Sequence, residues 1–204
     1  DSAFTEKEEN DPSALTVWGV FTNEAGHRRI ILVHAWRKRL RMHGTKVERH
    51  ARETENSYRR RSAPAWGLVE WTADTCRRFK VDRLLIEYKT SGITAAQELA
   101  RLHGREGWAI EHVPVKGDKV ARAMAVVPSW SQGMIYAPIR DWAEMVIDEI
   151  AVFPKGKHDD LTDSATQALR HLRTNGMAQT DEEETYETTE SLRHRPPPKP
   201  LYNI

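Results

Sequence analysis

Acidic residues stand at three separated places where a carboxylate is costly unless it is used. Asp1 lies in or at the edge of a first strand, and Glu87 follows the apolar run Leu84-Leu85-Ile86 at the end of a central strand. Asp159 and Asp160 open the last helix, with Asp163 one turn further on. In a mixed sheet, strand ends and a helix start converge on one point, where gathered carboxylates repel one another in a low dielectric. Divalent cations remove that penalty, and hard oxygen ligands select Mg2+ or Mn2+. Two such ions about 3.5–4 Å apart activate a water and stabilise the leaving oxygen of a phosphodiester. Singly, each acid has a plainer reading. Asp159 or Asp160 caps a helix, Glu87 pairs with Lys89 or Arg83, and Asp1 is an ordinary terminal residue. Asp163 shares a helix face with Asp160, while Leu161, Ala165, Ala168, Leu169 and Leu172 supply the core-facing stripe. The combination carries the metal reading.

The elements that must position these acids alternate between strand and helix. Ala14 to Phe21 and Arg29 to Trp36 are β-branched and aromatic and flank the turn Asn23-Glu24-Ala25-Gly26, which predicts a hairpin. Asp1 to Phe4 belongs to a strand before it. The arginine-rich stretch from His43 to Pro64 shows no period. Leu68, Trp71, Thr75 and Phe79 give a helix over residues 66–79. Arg83 to Tyr88 reads as a strand covered on both faces, Gly92 as a break, and Ile93 to Glu106 as a helix ended by Gly107. A strand follows over residues 108–115, then a helix capped by Asp118 through about Ser129 and a short strand over residues 134–136. Asp141 to Val152 is an amphipathic helix with Trp142, Met145, Val146, Glu149 and Ile150 on one stripe. The run Pro154-Lys155-Gly156-Lys157 stops it, and Asp159 to Arg173 forms the last helix. This order predicts a mixed α/β sheet with helices on its faces over residues 1–177. Residues 178–204, acidic and then rich in proline, read as a disordered or extended tail.

Composition bounds the function classes. The 204 residues suffice for one domain with a real core, and mean hydropathy of -0.69 fits a soluble protein. There is no apolar run of membrane-spanning length and no signal peptide at the start. The single cysteine, Cys76, excludes an intrachain disulfide and a cysteine zinc cage, which makes a reducing, intracellular compartment the default. Net charge is +1, yet the acids gather at residues 181–190. The body is therefore more basic than the whole chain, as suits a polyanionic partner or simply a solvated charged surface.

Three segments together resemble the nuclease motifs of the large subunit of tailed-phage terminases. The opening Asp1-Ser2-Ala3-Phe4-Thr5-Glu6-Lys7, continuing through Asn10-Asp11-Pro12 to Gly19, is similar to the first motif. Leu85-Ile86-Glu87-Tyr88-Lys89-Thr90-Ser91-Gly92 is similar to the second, and Phe153-Pro154-Lys155-Gly156-Lys157-His158-Asp159-Asp160-Leu161-Thr162-Asp163-Ser164 to the third. The likeness covers about residues 1–175. It implies an RNase H-like fold related to Holliday-junction resolvases and an endonuclease that cuts concatemeric double-stranded DNA by two-metal hydrolysis. It assigns Asp1, Glu87 and Asp160 as catalytic metal ligands, Asp163 and Asp159 as further metal ligands, and His158 and Lys89 as supporting residues. It also implies two Mg2+ or Mn2+ ions, an ATPase domain upstream in the same polypeptide, portal and small-subunit partners, and action in the host cytoplasm. No GxxxxGK[ST] phosphate loop occurs in the chain.

Lys119, Arg122, Arg59, Arg60 and Arg61 are candidate phosphate contacts, with solvated surface charge as the alternative. The seven tryptophans recur inside predicted elements and read mainly as core or half-buried, Trp130 being a candidate for base stacking. Two other functions suit the same residues: a resolvase-type nuclease outside packaging, and a DNA-guiding or portal-docking module without catalysis.

Overall fold

The computed structural model describes residues 12–114, 117–177, 179–180, 183, 185–186 and 189–190, with Thr90 and Ser91 through their backbone alone. The hairpin forms as its β-branched sequence dictates, from β1 (Ser13–Thr22) and β2 (Arg28–Lys38), antiparallel with a register shift between Val17 and Trp18. Asn23 closes the turn: its side-chain oxygen accepts from the His27 amide at 2.9 Å and its carbonyl from the Gly26 amide at 3.0 Å. Next come α1 (Glu55–Ser62), a 3-10 turn over Ala63–Ala65, α2 (Leu68–Arg78), β3 (Arg83–Glu87), α3 (Thr90–His103) and β4 (Ala109–Val113). The remainder is α4 (Lys119–Met124), α5 (Val127–Ser131), β5 (Ile135–Tyr136), α6 (Asp141–Val152) and α7 (Asp160–Thr174). No helix among the described residues is long and apolar enough to cross a membrane.

The architecture is mixed α/β, but its strands fall into two sheets instead of the single one expected. β5 joins β2 in parallel to give the order β1-β2-β5, while β3 and β4 pair in parallel across the α3 connection. The strand expected at Asp1 to Phe4 lies outside the described residues, as do Asn10 and Asp11. Packing joins the two parts. Leu15 of β1 lies against the cluster of Val69, Ala73, Cys76, Leu84, Leu99 and Trp108 under α2 and α3. A second cluster, including Leu32, Ala35, Val146 and Leu161, fills the space between the hairpin and α6 and α7. Burial pushes the Cys76 thiol up to about 12, so it carries no thiolate at neutral pH.

Four expectations change in detail. On α2 the buried residues are Val69, Thr72, Ala73, Asp74, Thr75 and Cys76; of the expected stripe Thr75 is among them, whereas Leu68, Trp71 and Phe79 are half-buried. Gly92 does not break the chain but lies in the first turn of α3, where a Cβ would stand 2.2 Å from the Glu87 carbonyl oxygen. The helix capped by Asp118 stops at Met124 and restarts at Val127, since Pro128 has no amide to continue it and suits a first turn. In the tail, Glu183, Thr185, Tyr186, Thr189 and Glu190 are helical. Thr180 and Glu183 cap that turn reciprocally, at 3.2 Å and 2.8 Å; the proline-rich end lies outside the described residues.

The unassigned stretch after β2 is an ordered excursion held by bonds that leave no periodic trace. The Leu68 amide donates to the Arg41 carbonyl and the Thr45 amide to the Ala65 carbonyl, both at 2.8 Å. Glu70 accepts from the amides of Gly44 and Gly67, at 3.0 and 2.8 Å. The two glycines meet backbone to backbone: a Cβ on Gly44 would stand 2.2 Å from the Ala65 carbonyl oxygen, and one on Gly67 2.6 Å from the Gly44 nitrogen. Gly44→Ala is therefore expected to lose about 1–3 kcal/mol of stability through overpacking against rigid backbone, read as a lower urea midpoint. An unchanged midpoint would show that this backbone gives way.

Candidate carboxylate site

The start of α7 is capped by a residue from another helix. The Glu149 carboxylate on α6 accepts from the amides of Leu161 at 2.8 Å and Thr162 at 3.0 Å, and from the Arg37 guanidinium of β2 at 2.5 Å. Glu149 faces inward, its side chain 7% exposed, at a position of α6 that the pattern gives to apolar residues. Its burial is tolerable because both oxygens are satisfied, by two orphan helix amides and a cation. Asp159, at the cap position, makes no side-chain capping bond, so the plain reading of Asp159 or Asp160 as a helix cap does not hold.

Freed from capping, the acids separate by partner. The Lys119 ammonium, at the start of α4, meets the carboxylates of both Asp159 and Asp163, the latter at 2.8 Å, and Arg122 stands 3.9 Å from Asp163. Burial opposes the charge on Lys119, but its hydrogen bonds to Asp159 and Asp163 outweigh that and raise its pKa. Asp163 thus shares its cation with Asp159 rather than pairing with Asp160. Asp160 makes no side-chain hydrogen bond or ion pair among the described residues. Burial and then the negative charges of Glu149 and Asp159 raise its pKa, and Arg37 and His158 offset them in part. His158 is half-buried beside it.

The other candidates are placed as follows. Glu87 ends β3 and pairs with Lys89 at 2.7 Å, while Arg83 turns to Glu111 at 3.1 Å. No bond among the described residues joins Glu87 to the acids of α7, and Asp1 lies outside those residues. Of the arginine triplet, Arg59 grips the buried Asp74 through Nε at 2.8 Å, and Arg61 binds Glu53 at 2.8 Å. That hydrogen bond holds the Glu53 carboxyl down to about 2. Arg60 is exposed and makes no such pair among the described residues. Trp130 packs edge-on against Trp18, with centroids 6.4 Å apart. Glu149 and Arg37 were missed as site residues, although an acid on the apolar stripe of α6 was the signal that could have found them.

A hard divalent cation suits the donor chemistry. Every donor is a carboxylate oxygen, and a cation would relieve the charge excess at Asp160. Among the described residues, however, no three His, Cys, Asp or Glu side chains already form a group able to hold a metal ion. Asp160, Glu87 and Asp1 would have to converge to hold it, with Asp159 and Asp163 free to join only when Lys119 gives way. Compared with known proteins, the chain matches no family pattern, no curated protein and no solved structure.

Proposed function

We propose that this chain is a metal-dependent endonuclease that hydrolyses double-stranded DNA, the RNase H-like nuclease part of a viral DNA-packaging terminase large subunit. The supporting observation is the start of α7. Glu149 performs the structural task of capping, and Asp160 is left in a neighbourhood whose negative charges Arg37 and His158 offset only in part, with no hydrogen bond or ion pair of its own among the described residues. A carboxylate kept uncompensated at structural expense is one kept for a ligand. The three motif segments in their order, the hairpin, and the β3-α3-β4 unit that carries Glu87 at its end support the same reading.

In this reading Asp1, Glu87 and Asp160 hold two Mg2+ or Mn2+ ions. When bound, these supply charge stabilisation to the attacking and leaving oxygens of the phosphodiester. Glu149 fixes the first turn of α7, and so the backbone from which Asp160 projects. Lys119, with Arg122 beside Asp163, balances the charges of Asp159 and Asp163. His158, next to Asp160, orients a phosphate or a water. An upstream ATPase domain, a portal and a small subunit are the partners that this reading requires.

The test is cleavage of supercoiled plasmid with Mn2+, Mg2+ or EDTA, beside Glu87→Ala. Metal-dependent nicking and linearisation that disappear in the variant are expected. Cutting that persists in EDTA or in Glu87→Ala, or no cutting by a folded protein with either metal, would overturn the reading. Preference for four-way junctions over linear duplex would move it to a resolvase.

A further inference from the structure

Positive charge is dense at the end of β2 and in the excursion that follows it. Residues 37–61 contain ten lysines and arginines against three glutamates, a net of +7, whereas the whole chain carries +1 and the remainder therefore -6. Part of this charge is engaged internally: Arg37 with Glu149, Arg49 with Glu55, Arg59 with Asp74 and Arg61 with Glu53. Lys38 is half-buried, its ammonium 4.2 Å from the centre of the Trp71 ring; Arg39, Arg41, Lys46, Arg52 and Arg60 remain, all exposed and none in an ion pair among the described residues.

These five cations sit on a fixed frame. The Tyr58 hydroxyl donates to the Val47 carbonyl at 2.9 Å and Arg61 to the Glu48 carbonyl at 2.7 Å, in addition to the backbone bonds at Gly44 and Thr45. Like charges held in place repel one another, a penalty that a polyanion removes. Four of the five are arginines, whose planar fork matches phosphate oxygens. Among the described residues, none of the exposed large apolar side chains lies between Arg37 and Trp66, so the surface lacks the apolar centre that a protein partner usually buries. The location is equally specific. The excursion leaves the sheet at Lys38, beside Arg37, whose guanidinium holds the Glu149 cap of α7. It therefore starts at the same end of the fold as Asp159, Asp160 and Asp163.

We propose that Arg39, Arg41, Lys46, Arg52 and Arg60 form a surface, starting beside the carboxylate site, that grips the phosphate backbone of duplex DNA without reading its bases. The choice of duplex DNA rests on the nuclease reading above. The experiment is fluorescence anisotropy of a labelled 30-base-pair duplex in EDTA, where no metal-dependent cleavage occurs, across a KCl series. It compares the wild type with the triple variant Arg39→Gln/Arg41→Gln/Lys46→Gln, both checked for folding by circular dichroism. The triple variant is expected to bind at least about tenfold more weakly, with a salt slope shallower by about 2–3, near 0.9 for each phosphate no longer neutralised. Wild-type affinity and slope in a folded triple variant overturn the proposal, as does displacement of the duplex by polyglutamate at equal charge. If the wild type binds by this surface yet cuts no plasmid, the surface stands and the nuclease reading falls.

Discussion

Glu149→Ala is expected to lower the stability of the fold by about 3–5 kcal/mol, the range for removing one partner of a buried ion pair. The variant leaves the Arg37 guanidinium half-buried without its carboxylate and returns two amides of α7, those of Leu161 and Thr162, to the unsatisfied state. Both losses act on the contact between the hairpin, α6 and α7, where the core cluster of Leu32, Val146 and Leu161 lies. Domains of this size are typically stable by only about 5–15 kcal/mol, so the loss would be a large fraction of the total. Glu149→Gln keeps an acceptor and the shape but gives up the charge, and should lose roughly half as much. Urea denaturation followed by tryptophan fluorescence measures both. A loss below about 1 kcal/mol in the alanine variant would mean that water replaces the carboxylate without penalty.

Asp160→Asn should do the reverse, removing cleavage while strengthening the fold. A metal-anchoring carboxylate contributes several kcal/mol to the charged transition state, and each 1.36 kcal/mol is tenfold in rate, so the expected loss is at least about a hundredfold. Stability moves the other way because burial, then Glu149 and Asp159, raise the Asp160 pKa. A carboxyl with a raised folded pKa disfavours the native state at pH above its unfolded value. That penalty fades as the pH falls through the carboxylate range and both states take up the proton. In EDTA the asparagine variant should therefore be the more stable protein at pH 7, with the gap closing below about pH 4. Matched denaturation curves at the two pH values decide it. If activity and stability fell together at pH 7, Asp160 would be holding the fold rather than a ligand.

Legibility in the sequence followed the range of the interactions. The bounds of α6 are those the apolar stripe predicts, and β1, β2 and β3 lie where β-branched runs place them, because local pattern and burial agree there. The excursion between Lys38 and Trp66 escaped because side chains and backbone far apart in sequence bond to each other, as from Tyr58 to Val47 or Glu70 to Gly44, and impose no period. The acids of the third motif were found by type and position, but their partners were not. Lys119 lies forty residues from Asp159, and the Glu149 cap belongs to a different helix. On α6 the stripe was read for hydrophobicity alone, so the one charged residue on it passed as core.

The meeting of Gly44 and Gly67 also has a consequence for how the chain can vary in length. Two backbones in contact pin both ends of the segment between them, so the closure entropy of a flexible insertion in it grows only logarithmically with length. Doubling it would cost only about 0.6 kcal/mol in loop closure. An insertion at the turn of Ala51 and Arg52 would leave the Arg59 contact with Asp74 of α2 in place. Length is therefore cheap to change in the cation-bearing segment, and its reach along a bound partner could be tuned without redesigning the core.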